Sequence, residues 1–75
     1  MTLTDFISML TPAFMESGTL LTPETHFKEL ADWNSLAALM MITTIGQECG
    51  VSLDSSDLFE ADTIEDLYKT VCAKQ

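Results

Sequence analysis

Apolar residues recur along the chain with a helical period. Leu3, Phe6, Ile7, Leu10 and Phe14 are spaced for one face of a helix over roughly residues 2–16. Pro12 falls inside that span and has no N–H to bond Ser8, so a kink, or a restart capped by Thr11, is expected there. The pattern then breaks from Ser17 to Asn34, a connection containing Gly18, Pro23 and several threonines. Within it Thr22-Pro23-Glu24 has the chemistry to start one helical turn, and Phe27 and Leu30 are the expected anchors onto the core. A second helix is predicted from Ser35 to Cys49, with Gly50 as the glycine that ends it. Its buried stripe reads as Ala38, Met41, Ile42, Ile45 and Cys49.

Val51 and Leu53 lead into Asp54-Ser55-Ser56-Asp57, a run of capping residues ahead of a short turn carrying Leu58 and Phe59. The final helix begins after Asp62, with Glu65 three residues on in capping-box spacing. Ile64, Leu67, Tyr68 and Val71 form its inner face, and Lys69 and Lys74 lie toward its negative end. The fold class is therefore all-α: a small bundle of three main helices plus one short helix, in a single domain spanning residues 1–75. No repeat or low-complexity tract divides it.

Composition narrows the functions open to such a bundle. At 75 residues and 47% hydrophobic the chain can bury a core, with a net stability on the order of 3–5 kcal/mol. Three lysines stand against twelve acids, a formal charge of −9. That balance opposes nucleic acid and anionic membrane surfaces and suits either a basic docking patch or solubility alone. It also favours a monomer. MTLTDFISML has no basic n-region, so no signal peptide is expected, and Leu36–Ile45 is about half of the ~20 residues that span a bilayer. Cys49 and Cys72 are too few for a disulfide framework and read as reduced, packed thiols of a cytoplasmic protein.

Candidate chemistry concentrates at Ser35. It opens the second helix, where free N–H groups and the helix dipole favour a negatively charged substituent such as a phosphate ester. The one histidine, His26, lies in the connection, and no G-x-S-x-G elbow surrounds the serine, so modification suits Ser35 better than nucleophilic attack. A simple helix-starting role is the alternative on composition alone. The acid-rich stretch from Asp54 to Glu65 lacks the EF-hand pattern, because Leu58 and Phe59 stand at its fifth and sixth positions, and no metal is expected. No nucleophile–base pair or phosphate loop is present, so no enzymatic activity is expected.

The segment WNSLAALMMITTIGQECGVSLDSSDLFEADTIEDLYKTV resembles acyl carrier proteins of the freestanding, phosphopantetheine-bearing kind. The resemblance rests on Asn34-Ser35-Leu36, Gly50-Val51-x-Leu53, Asp57-Leu58-Phe59-Glu60 and Thr63-Ile64-Glu65-Asp66-Leu67, in order and without gaps. It covers about residues 20–73 well and the first helix loosely. It implies 4′-phosphopantetheine on Ser35 through a phosphodiester, with an acyl or aminoacyl group held as a thioester at the far end. It also implies a phosphopantetheinyl transferase, an acyl- or aminoacyl-loading enzyme and ketosynthase or acyltransferase-type enzymes as partners. The pathway would be fatty-acid, polyketide or related biosynthesis.

Two departures stand out. The family's acid before the serine is Asn34 here, which still caps a helix but removes a negative charge beside the serine. On the outer face of the second helix, Leu36, Ala37, Met40 and Thr44 replace the family's usual acids, and Glu48 is the helix's one charge. Asn34, Leu36, Ala37 and Met40 are thus expected to form an apolar docking face. The competing reading is an acidic helical interaction module with no prosthetic group.

Overall fold

A computed structural model describes residues 1–17 and 20–75, so Gly18, read above as part of the break between helices, lies outside the described residues. Each of the four α-helices starts on a side chain that accepts from its own first turn. In α1 (Leu3–Leu10), Thr2 and Asp5 form a reciprocal capping box. In α2 (Ser35–Cys49), Asn34 Oδ1 accepts from the Ala37 N–H at 2.8 Å. Asp54 with Asp57 caps the short α3 (Ser55–Glu60), and Thr63 with Asp66 caps α4 (Ile64–Lys74). The described residues contain no strand, and the fold is all-α and acyl-carrier-protein-like.

The expected kink falls where Pro12 interrupts the backbone ladder. α1 stops at Leu10, the Thr11 hydroxyl donates to the Ile7 carbonyl at 2.9 Å, and the chain tightens into a 3-10 helix over Thr11–Ser17. Phe14 departs from helical geometry within it (φ −126°, ψ 24°), yet its side chain is buried. At the far end of α2, Gly50 adopts φ +67°, a conformation that costs a side-chain-bearing residue steric strain, and its N–H bonds the Gly46 carbonyl at 3.2 Å.

Two details of the sequence reading shift. α4 is capped by Thr63 with Asp66, not by Asp62 with Glu65. Asp62 instead directs its backbone N–H to Asp66 Oδ2 at 3.3 Å. Thr22–Thr25 forms a turn closed by the Thr25 N–H on the Thr22 carbonyl at 3.1 Å, and the helical turn comes later, as a 3-10 turn at Phe27–Glu29.

The core joins α1, α2 and α4 through Phe6, Leu10, Met41, Ile45, Ile64 and Leu67, all essentially without solvent contact. Burial of these side chains supplies most of the favourable free energy, at roughly 1.5–3 kcal/mol for each. The connection ahead of α2 is held to the rest by two kinds of contact. Phe27 is fully buried, and Leu21, which the sequence reading did not single out, is buried as well. The carbonyls of Thr25 and Pro23 accept from the N–H groups of Ile64 and Glu65 at 3.1 and 3.0 Å. Two orphan donors of α4 are thereby satisfied by the segment that delivers the chain to Ser35. No helix among the described residues is long and apolar enough to cross a membrane.

Candidate functional site

Trp33, Asn34 and Ser35 leave the connection and enter α2. The Trp33 ring stands edge-on to Phe27, with centroids 5.4 Å apart and planes at 72°, so the buried Phe27 fixes the approach to the helix. Asn34 is extended (φ −161°, ψ −179°) and turns the backbone into the helix while its side chain satisfies the Ala37 N–H. Ser35 follows as the first helical residue and is exposed. Among the described residues nothing hydrogen-bonds its hydroxyl. The N–H groups of Ser35 and Leu36 lie in the first turn, ahead of any intrahelical acceptor, at the positive end of the dipole. The first turn carries no acid that would repel an anion.

Two grooves lie at the start of α2. One, of about 310 Å³, runs between α2 and α3 and is walled by Trp33, Ala38, Leu39, Ile42, Leu58 and Phe59, with Ser35 at its edge. The other, of about 350 Å³, lies toward the 3-10 helix and includes Pro12, Ala13, Leu36 and Met40. Asn34 borders both. Ser35 thus lines the α2–α3 groove, and its neighbour Asn34 stands between that groove and the second.

The outer face of α2 matches the sequence reading at Leu36 and Met40, which are 65% and 39% exposed. Ala37 corrects it. At 3% exposure Ala37 is buried, because the 3-10 helix that follows α1 packs across the start of α2. The buried stripe accordingly centres on Ala37, Met41 and Ile45, with Ala38, Ile42 and Cys49 half-buried beside it. Leu39 (60% exposed) and Phe59 (72% exposed) were not read as surface residues, yet they form facing lips of the α2–α3 groove.

The remaining candidates lie apart from the serine. His26 is exposed and pairs with Glu29 at 3.5 Å. Tyr68 lies at the core edge against Phe6, its hydroxyl donating to the Met1 carbonyl at 3.0 Å. Both cysteines are free. Cys49 is half-buried, and burial, reinforced by the nearby Glu48, raises its thiol above the ordinary range. Cys72 is exposed, which corrects the expectation that both thiols are packed. Among the described residues no three His, Cys, Asp or Glu side chains gather as metal ligands.

A family model described as "Phosphopantetheine attachment site" matches residues 13–71, and the chain belongs to that family. No curated protein and no solved structure matches it. Members bind 4′-phosphopantetheine covalently on a serine and are non-catalytic carriers that interact with modifying and biosynthetic enzymes. The chain is thus a phosphopantetheine-carrying carrier protein. The residues around Ser35 fit the group: an exposed hydroxyl with no partner among the described residues, unpaired first-turn N–H groups for a phosphodiester, and an apolar groove beside it.

Proposed function

We propose that Ser35 bears the 4′-phosphopantetheine arm and that residues 1–75 act as one carrier unit. The observation that carries this reading is the position of Ser35: exposed, first in its helix, and at the edge of the apolar α2–α3 groove. The arm supplies a terminal thiol that holds an acyl or aminoacyl group as a thioester. The protein's own part is to fix the attachment point, keep anionic side chains out of the first turn and offer a face for docking. Tethering raises the effective concentration of the cargo at each docked enzyme without any catalytic group on the carrier.

The partners in this reading are a phosphopantetheinyl transferase, an acyl- or aminoacyl-loading enzyme and ketosynthase or acyltransferase-type enzymes of fatty-acid, polyketide or related biosynthesis. Leu36 and Met40, with Asn34 at the edge, form the docking face; Ala37 supports it from beneath. An uncharged α2 surface up to Glu48 selects partners that bring apolar contact to the serine. The net charge of −9 opposes self-association and suits a working monomer, and two free thiols suit the cytoplasm.

Incubation with coenzyme A and a broad-specificity phosphopantetheinyl transferase, followed by intact-protein mass spectrometry, tests this. The native chain should gain one phosphopantetheine and the Ser35→Ala variant none. A native chain left unmodified by two unrelated transferases contradicts the reading.

A further inference from the structure

We propose that Lys28 is a positioning residue that sets the width of the groove beside Ser35 by holding down the last turn of α3. Its ammonium donates to the Phe59 carbonyl at 2.7 Å, across 31 residues of sequence. Both ends of this strut are informative.

On one side Lys28 is well seated. It belongs to the 3-10 turn Phe27–Glu29, whose Phe27 is fully buried, and its ammonium stands 5.9 Å over the Phe27 ring. On the other side α3 has little of its own to hold it. Six residues make fewer than two turns, too short for a helix to persist without outside contacts. Its N-terminal turn has a capping box, and Asp57 there pairs with Lys74 at 3.6 Å. Its C-terminal turn runs into Ala61 in an extended conformation (φ −82°, ψ 134°), which leaves late carbonyls in need of donors. Phe59 adds little packing there, being 72% exposed, and the residue that reaches the core just beyond it is the small Ala61. Leu58 is the one buried residue of α3. Two of the chain's three lysines thus grip this one short helix, and only Lys28 grips the end that forms the groove wall.

Leu58 and Phe59 face Leu39 and Ile42 across the groove, so any release of the last turn widens the groove on the Phe59 side. Its bearing on cargo rests on the carrier reading: a tethered apolar group emerging at Ser35 meets a groove whose width Lys28 sets. The strut itself is independent of that reading and can be tested on the unmodified chain.

The test compares wild type, Lys28→Met and Lys28→Arg by hydrogen–deuterium exchange. Met keeps an unbranched stem against Phe27 and removes the donor, whereas Arg restores a cationic donor. In Lys28→Met, exchange at Leu58 to Ala61 should rise roughly tenfold, the scale of one lost charge-assisted hydrogen bond. Amides of Leu67 and Val71 in α4 should not change, the emission of Trp33, the single tryptophan, should shift to the red, and Lys28→Arg should restore both signals. Unchanged exchange in α3, or an equal rise across α3 and α4, overturns the proposal. Absence of phosphopantetheine modification would leave this result untouched, so the two readings fail separately.

Discussion

Asn34 caps the helix that begins at Ser35 by accepting the Ala37 N–H at 2.8 Å, without placing a charge beside the serine. Capping and charge are therefore separable at this position. Asn34→Ala should destabilise the fold by about 1 kcal/mol, the usual worth of an N-cap. Asn34→Asp should keep the cap and add about 0.3–1 kcal/mol through the helix dipole. If the transferase also reads a negative charge there, Asn34→Asp is modified several-fold faster. Urea denaturation and initial rates of modification separate the two effects, and equal rates for Asn34→Asp and wild type would show that the lost charge is immaterial.

An apolar docking face makes a prediction opposite to that of an acidic one. Met40→Glu places a carboxylate beside Leu36 on the exposed side of α2. Desolvating that charge in an apolar contact should weaken binding to a loading or ketosynthase-type partner by roughly tenfold or more. Titration calorimetry with such a partner reads this directly. Unchanged or tighter binding would mean that basic partner patches, not apolar contact, govern docking.

Acid should act on stability in two opposite directions. Asp54 is held below the ordinary aspartate range by the Ser56 hydroxyl and then the Asp57 N–H, and Asp66 by the Thr63 N–H and further by the Asp62 N–H. A depressed carboxyl stabilises the fold above its unfolded value, and that contribution disappears as pH falls through the folded one. Any fall in net charge also relieves self-repulsion in a chain that carries −9. Stability should thus hold or rise from neutrality to about pH 5 and decline below it. Circular-dichroism melts across this range, with Asp66→Asn flattening the decline, check both halves. A steady fall beginning at neutrality would contradict the account.

The helix ends were legible in sequence wherever a side chain does the terminating. Asn34 and Gly50 bracket α2 as their chemistry requires. The α4 cap moved by one residue because Asp62 and Thr63 are both good N-caps, each with an acid three residues on. The face of α2 was harder to phase. From Leu36 to Ile42 every residue is apolar, so no polar side marks the outside: Ala37 reads as outward-facing yet is buried, and Leu39 carries no signal for either side yet is exposed. Their placement follows from the 3-10 helix that Pro12 creates and from where α3 lies, both tertiary facts. The Lys28–Phe59 contact uses a backbone carbonyl 31 residues away and leaves no trace in side-chain pattern.

The two thiols should differ in reactivity. Cys72 is exposed, while burial and Glu48 keep Cys49 protonated to higher pH, and the thiolate is the reactive species. Alkylation with iodoacetamide near pH 8, followed by peptide mapping, should label Cys72 several-fold faster than Cys49. Equal rates would mean that the contacts of Cys49 with Met1 Sδ at 3.8 Å and with Gln75 at its carbonyl open freely in solution.

The most direct measurement is to locate the modification after treatment with coenzyme A and a transferase. Cleavage after Lys28 and Lys69 yields one peptide holding Ser35 together with Ser52, Ser55 and Ser56, and fragmentation distinguishes them. The account predicts phosphopantetheine on Ser35 alone, since it opens the long helix α2, exposed and at the edge of the α2–α3 groove. Phosphopantetheine on any other serine, or on none, would contradict it.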